Sequence, residues 1–404
     1  MSKWRKKQLQ EIAFLKPTEN LKKGDIAPNI PMANIKEFQR DVVKIDYGEF
    51  RGGTKFRNGD TLLAKITPCL ENGKTAFVNC LQEDEIGFGS TEFIVLRAKE
   101  NIDERFLYYL SISPEFRKQA ISLMEGTSGR KRVNENALKI SDFLIPDLEE
   151  QRKIANILSA IDDKIQINNQ INQELEAMAK TLYDYWFVQF DFPDQNGKPY
   201  KSSGGKMVYN PELKREIPEG WGVEKLEKIA NITMGQSPKG TSYNEVGEGM
   251  LFFQGSTDFG WRFPVARQYT TEPSRIAEED DILLSVRAPV GTLNIADTRC
   301  CIGRGLAAIN SKVGANSYIF NVMQDFKKLF DMINSVGTTF GSITKDDLYS
   351  LQLVYPPTEL LMEFDQLVKS FDREIKNRSR QNQELNQLRD WLLPMLMNGQ
   401  VKVE

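Results

Sequence analysis

Between Glu149 and about Phe187 the chain runs without proline or glycine, and its apolar residues return on a seven-residue frame. One row of that frame is Ile154, Ile161, Asn168, Leu175 and Leu182; a second is Ile157, Lys164, Ile171, Met178 and Tyr185. The pattern comes back near the end of the chain. There the rows are Phe364, Phe371, Arg378, Leu385 and Leu392, and Leu367, Glu374, Gln381, Leu388 and Met395. Such rows predict two long helices of about 55–60 Å each at 1.5 Å per residue. A stripe this narrow is not buried by one globular domain alone, so the helices are expected to pack on each other as a coiled coil. Both seams turn polar at their centre, at Lys164 and Asn168 and at Glu374, Arg378 and Gln381. Two readings stand: a partly solvated patch, or a register lock whose polar groups pair in one alignment only.

Elsewhere the pattern shortens. Runs such as Thr61–Ile66 and Phe93–Arg97 read as strands between Gly, Asn and Pro turns, and Ile102–Leu123 reads as a helix. Prolines at 146, 356 and 357 close each mixed region before its long helix. The expected order is a mixed domain (1–147), a long helix (148–190), a polar Gly/Pro/Ser-rich connector (191–220), a second mixed domain (221–357) and a second helix (358–404). The class is α+β: two mixed domains separated by two long antiparallel coiled-coil helices, with a pseudo-two-fold internal repeat.

The repeat is written in the residues. Asn172-Gln-Glu-Leu175 recurs as Asn382-Gln-Glu-Leu385, 210 positions on, and the same displacement carries Pro146 to Pro356 and Ile161-Asp162 to Phe371-Asp372. Asp60–Pro68 answers Asp281–Pro289, and Gly126-Thr-Ser128 answers Gly337-Thr-Thr339. A period this long means two whole domains, each followed by the same kind of helix. A target that itself comes in two halves fits such a chain.

Composition narrows the chemistry. A net charge of −3 does not advertise a nucleic-acid binder, although residues 1–60 carry 13 Lys/Arg against 8 Asp/Glu and Arg130-Lys131-Arg132 forms a basic knot. The absence of histidine excludes Ser-His-Asp and Cys-His nucleophile systems and two-His zinc sites. The four cysteines lack metal-ligand spacing, and free thiols fit a reducing, cytoplasmic compartment. Neither a signal peptide nor a membrane span is expected.

Gly73-Lys74-Thr75 looks like the end of a phosphate loop, but Pro68 stands where its first glycine belongs, and it reads as a turn. Tyr355-Pro356-Pro357-Thr358 is a domain boundary, and no Asn-Pro-Pro-aromatic segment of an amino-methyltransferase occurs. No catalytic residue, metal site or cofactor is expected. The loop holding Ser128, Arg130, Lys131 and Arg132, and its counterpart with Thr338, Thr339, Ser342 and Lys345, combine glycine freedom, hydroxyls and cations suited to phosphates; a solvated turn is the alternative. Lys65 and Arg287 lie in matched stretches, one residue out of register. Gln254, Ser256 and Arg262 offer groups suited to base edges, and Trp261 reads as core.

The stretch Ile145-Pro-Asp-Leu-Glu-Glu-Gln-Arg-Lys-Ile-Ala-Asn-Ile-Leu-Ser-Ala-Ile-Asp-Asp163 resembles the proline-to-helix junction of the DNA-specificity subunits of type I restriction–modification systems. Leu182-Tyr-Asp-Tyr-Trp-Phe187, Phe190-Asp-Phe-Pro193, Ile217-Pro-Glu-Gly-Trp-Gly222 and Leu388–Gly399 resemble later parts of that pattern, so the likeness covers essentially the whole chain. The second helix departs from it: Pro357-Thr-Glu-Leu-Leu-Met-Glu-Phe364 lacks the Glu-Gln-Arg junction. The resemblance implies a non-catalytic reader. Its two target recognition domains would bind the halves of a split, asymmetric site in double-stranded DNA, with the helices setting the unread spacer. Two S-adenosylmethionine-dependent methylation subunits would dock on the helices, and restriction/translocation subunits would join them. The rivals are a recognition subunit whose partner fuses methylation and cleavage, and a coiled-coil scaffold that binds protein only.

Overall fold

The computed structural model describes residues 4–127, 129–335 and 342–403. It divides into two compact units, Met1–Asn169 with Arg380–Glu404, and Gln170–Ser379. Each unit holds one α+β head and part of each long helix.

The first long helix spans Leu148–Tyr183 and passes into a π-type turn over Asp184–Val188. Its start is fixed by Pro146 and by Asp147, whose Oδ1 accepts the Glu150 N–H at 3.0 Å. Gln151, fully buried, donates to the Pro146 carbonyl at 2.9 Å and accepts the Asp103 N–H at 2.9 Å, clipping the helix to its head. The second long helix spans Thr358–Met397 behind Pro356-Pro357.

In the first unit Ala13–Leu15, Phe93–Ala98, Thr61–Ala64 and Thr75–Phe77 form an antiparallel sheet in that order. A second sheet orders Asp46–Glu49, Ile26–Ile30, Gly87–Gly89 and Thr54–Phe56, its two central strands parallel. The helix Glu104–Ile112, capped by Asp103, packs its Phe106, Leu107 and Tyr109 into a core shared with Ile154, Leu158, Leu393 and Leu396. The second unit repeats the plan. Ala230–Met234, Leu306–Ser311, Ile282–Ser285 and Leu293–Ile295 form the first sheet in the same order. In the second sheet Met250–Phe253 again runs parallel to Cys300–Ile302. Its core joins Ile282, Leu284, Ile319 and Met323 to Ala179, Tyr183, Phe364 and Val368.

Within the first unit the helix segments run antiparallel. Asp162 meets Arg389 at 3.0 Å, and Asn168 donates to Asn382 and Gln381, each at 2.8 Å. Within the second, Asn172 faces Ser379 at 3.4 Å. The expected row through Ile154, Ile161 and Asn168 is buried, and Leu175 and Leu182 are half-buried; on the other helix Phe364 is buried and Phe371, Leu385 and Leu392 are half-buried.

The companion row needs correction. Met178, Leu367 and Leu388 are 53%, 46% and 43% exposed, and Lys164 and Glu374 face solvent. The inward companions stand one residue further on: Leu158, Asn172 and Ala179, and Val368, Ile375, Asn382 and Arg389. Arg378 is likewise not a seam pair; its guanidinium folds back onto Glu374 of its own helix. The polar centre is held by the expected pair Asn168 and Gln381 together with Asn172 and Asn382, the three asparagines all buried, which favours the register-lock reading over a solvated patch.

Candidate nucleic-acid interface

In the first head Met124–Glu125 pairs with Arg132–Val133, closing a loop over 126–131. Gly126 (φ 122°) and Gly129 (φ 80°) take left-handed conformations there that a side chain would strain. The loop is pinned to the strand beside it: the Thr67 N–H donates to the Lys131 carbonyl at 3.0 Å, and Val133 N–H to the Lys65 carbonyl at 2.9 Å. Arg130 and Lys131 are exposed, with no ion-pair partner among the described residues. Arg132 forks onto Glu92 (Nη2–Oε1 2.8 Å, Nε–Oε2 2.9 Å), and that contact holds the Glu92 carboxyl below its usual range.

Lys65 points elsewhere. Its ammonium, 14% exposed, reaches Glu135 at 3.3 Å, where Lys16 also binds at 2.6 Å. Burial alone would raise the Glu135 carboxyl; the two lysines outweigh it and lower it. Lys65 is therefore an internal ion-pair residue. The alternation of a strand explains this: Lys65 matches buried Val286, and it is Ile66 that matches exposed Arg287.

In the second head Gln254, Arg287 and Ser256 line one cleft of about 450 Å³. Arg287 forms a bridge with Ser342, as Ile66 does with Arg132 in the first head, so the same scaffold position recurs. Lys345 is exposed at the start of the short helix Lys345–Tyr349 and lies 4.9 Å from the Tyr349 ring. Ser128, Thr338 and Thr339 lie outside the described residues.

Two assignments are reversed. Arg262 is 6% exposed and is not a surface donor: it binds Asp372 at 2.6 Å and Glu176 at 3.1 Å and stacks 3.9 Å from the Phe320 ring. Its charge holds the head to the helix segments of its own unit. Trp261, expected in the core, is 50% exposed. Sequence reading missed Arg304, Thr257 and Ser285, which supply the remaining polar side chains of the cleft. The available signal was Gly303-Arg304-Gly305, an arginine between two glycines just before a strand.

One α+β scaffold used twice, with unlike loop chemistry on its two heads and a pair of long helices, defines a duplicated, two-headed protein. The family model described as the type I restriction modification DNA specificity domain matches it twice, over residues 1–177 and 218–387. The chain belongs to that family. It is similar to the putative type I restriction enzyme MjaX specificity subunit of Methanocaldococcus jannaschii, 31% identical over 93% of this chain and 88% of that one. The MjaIX specificity subunit of the same organism is 27% identical over 76% and 71%. A crystal structure of a type I restriction-modification S subunit from M. genitalium shares the fold, with a TM-score of 0.60, 16% identity, and coverage of 98% and 96%.

Proposed function

We propose that this chain is the DNA-reading subunit of a type I restriction–modification complex, and that it performs no chemistry itself. Each head (1–147 and 221–357) reads one half of a split duplex site, and the paired helices set the unread spacer. Methylation subunits, two per chain, dock on the helices, and restriction/translocation subunits join that core in the cytoplasm. The observation that carries the reading is the pair of matched heads, each with exposed, unpaired cations beside the same strand end: Arg130 and Lys131 in one, Arg287 and Arg304 in the other. A chain of net charge −3 that leaves exposed cations unpaired on both heads has a polyanion as their natural partner. Met178 and Tyr185 on the first helix region, and Leu388 and Trp391 on the second, are exposed apolar residues suited to partner docking.

The test reconstitutes the chain with its methylation partner and measures duplex binding against salt. Arg130→Ala with Lys131→Ala is expected to weaken binding alike on all sequences and to flatten the log–log salt slope by about 1.8, roughly 0.9 for each phosphate left unneutralised. Unchanged affinity and slope would remove this loop from the interface. A chain that binds no duplex in any complex would leave only the scaffold role.

A further inference from the structure

The turn Gly303-Arg304-Gly305 is built against its neighbours with no room to spare. The Gly303 N–H donates to the Phe253 carbonyl at 2.9 Å, the Gly305 N–H to the Gln254 carbonyl at 3.1 Å, and the Gly305 carbonyl accepts from Val286 at 2.9 Å. A Cβ at Gly303 would lie 2.8 Å from the Gln254 Cα, and one at Gly305 would lie 2.7 Å from the Gln254 carbonyl oxygen. Only glycine lets these backbones touch. The residue between them is exposed, and its own N–H is held by the Ser237 hydroxyl at 3.3 Å. The turn fixes Arg304 by its backbone and leaves its side chain at the cleft.

Three donors converge there. Arg304, Arg287 and Gln254 are exposed, line the same cleft and have no hydrogen-bond or ion-pair partner for their side chains among the described residues. No acidic residue lines it among the described residues. Arg97, Arg132, Arg262 and Arg389, by contrast, are each bound to a carboxylate.

The first head lacks all three groups. Strand pairing matches Ile30 to Phe253 and Gly89 to Ile302, so Pro31 stands for Gln254 and Thr91 for Arg304. Ala64 matches Ser285 in the same way, which puts Ile66 at the place of Arg287.

We infer that Arg304, on its double-glycine turn, is a specificity-determining residue of the second head and reads a guanine in the major groove, with Gln254 beside it as an adenine reader. A guanidinium fork matches guanine O6 and N7, and a carboxamide matches adenine N6 and N7. Backbone fixation on both sides supplies the preorganisation that such a two-point contact requires. Phosphate contact alone would not call for this, because a charge–charge contact does not demand a fixed two-point orientation. The inference rests on the reading of the chain as a DNA-recognition subunit and adds which head demands guanine, and through which residue.

The experiment uses the full chain in complex with its methylation partner, whose methylated target is first mapped by sequencing modified DNA. Binding is then measured on duplexes carrying each single base change in either half-site. Arg304→Ala should lose about tenfold or more on the parent site and should stop discriminating at one guanine of one half-site, leaving the other half-site untouched. Arg304→Lys keeps the charge without the fork and should retain binding to non-target duplex while losing that discrimination. Thr91→Ala should leave the guanine preference intact. Uniform weakening of Arg304→Ala on every duplex would make the residue a phosphate contact and overturn the inference; so would full retention of the parent base preference. A parent complex indifferent to sequence would overturn the DNA-recognition reading along with it.

Discussion

Arg389→Met tests how the seam is held within the first unit. The guanidinium meets Asp162 at 3.0 Å, and the two side chains are only 6% and 4% exposed. The other carboxylate oxygen accepts the Tyr109 hydroxyl at 2.7 Å. Burial pushes the Asp162 carboxyl above its ordinary value, and Arg389 and Tyr109 only partly oppose that. The contact of Arg389 with Asp390 counts for little, because Asp390 is 65% exposed. Methionine keeps the volume and removes the charge, leaving a buried carboxylate with one hydrogen bond. The expected cost is about 3–5 kcal/mol, the range for breaking a buried pair from one side. Asp162→Asn added to it keeps an acceptor for Tyr109 and removes the stranded charge, so the double variant should regain most of the loss.

The sign with pH follows from the raised carboxyl. Between the ordinary aspartate value and the raised one, the folded state binds a proton that the unfolded chain does not, so stability falls as pH rises. Removing Arg389 raises the carboxyl further and widens that window. The deficit of Arg389→Met should be largest near pH 7–8 and shrink toward pH 5. Urea denaturation of the full chain, resolved to 148–169 and 380–397 by hydrogen exchange, measures it. Equal deficits in the single and double variants, or one flat between pH 5 and 8, would refute the reasoning.

Asn168→Leu should cost about 1–3 kcal/mol in denaturant titrations, because it orphans the carbonyls of Gln381 and Asn382. Asn382→Leu added to it should restore stability to near the parent; if the pair is as unstable as the single variant, the seam is not held by these amides. Cys300, whose thiol burial pushes up to about 12, and buried Cys301 should resist iodoacetamide at pH 8 until the chain unfolds, while half-buried Cys69 reacts. Peptide mass mapping reads the outcome, and native alkylation of Cys300 would contradict the packing.

The helices, their proline starts and the doubling were legible because they rest on local rules: no breakers, a repeated frame and matched landmarks. The facing of each helix was not. On a helix of 3.6 residues per turn, i+3 and i+4 lie on opposite sides of the same row, and either can complete a seam. The apolar choice of Ile157, Ile171 and Met178 looked sounder than a row containing Asn172. The structure takes the other because Asn168, Asn172, Asn382 and Arg389 find partners across the seam, which sequence does not reveal. Lys65, Trp261 and Arg262 failed for a related reason: strand and turn parity assigns neighbours to opposite sides, so a one-residue error exchanges core for surface. Arg304 stayed hidden because an arginine between glycines reads as a solvated turn until the two heads are aligned strand by strand.

The glycine-flanked turn also bears on how such a chain changes over generations. Substitution at 303 or 305 collides with backbone, so those codons are closed. The codon between them is open, since the exposed side chain of Arg304 supports nothing in the core. Saturation mutagenesis should therefore give a comb of intolerant, tolerant and intolerant positions. A lineage can rewrite the middle one at almost no cost in folding, and selection there acts on what is recognised rather than on whether the protein survives.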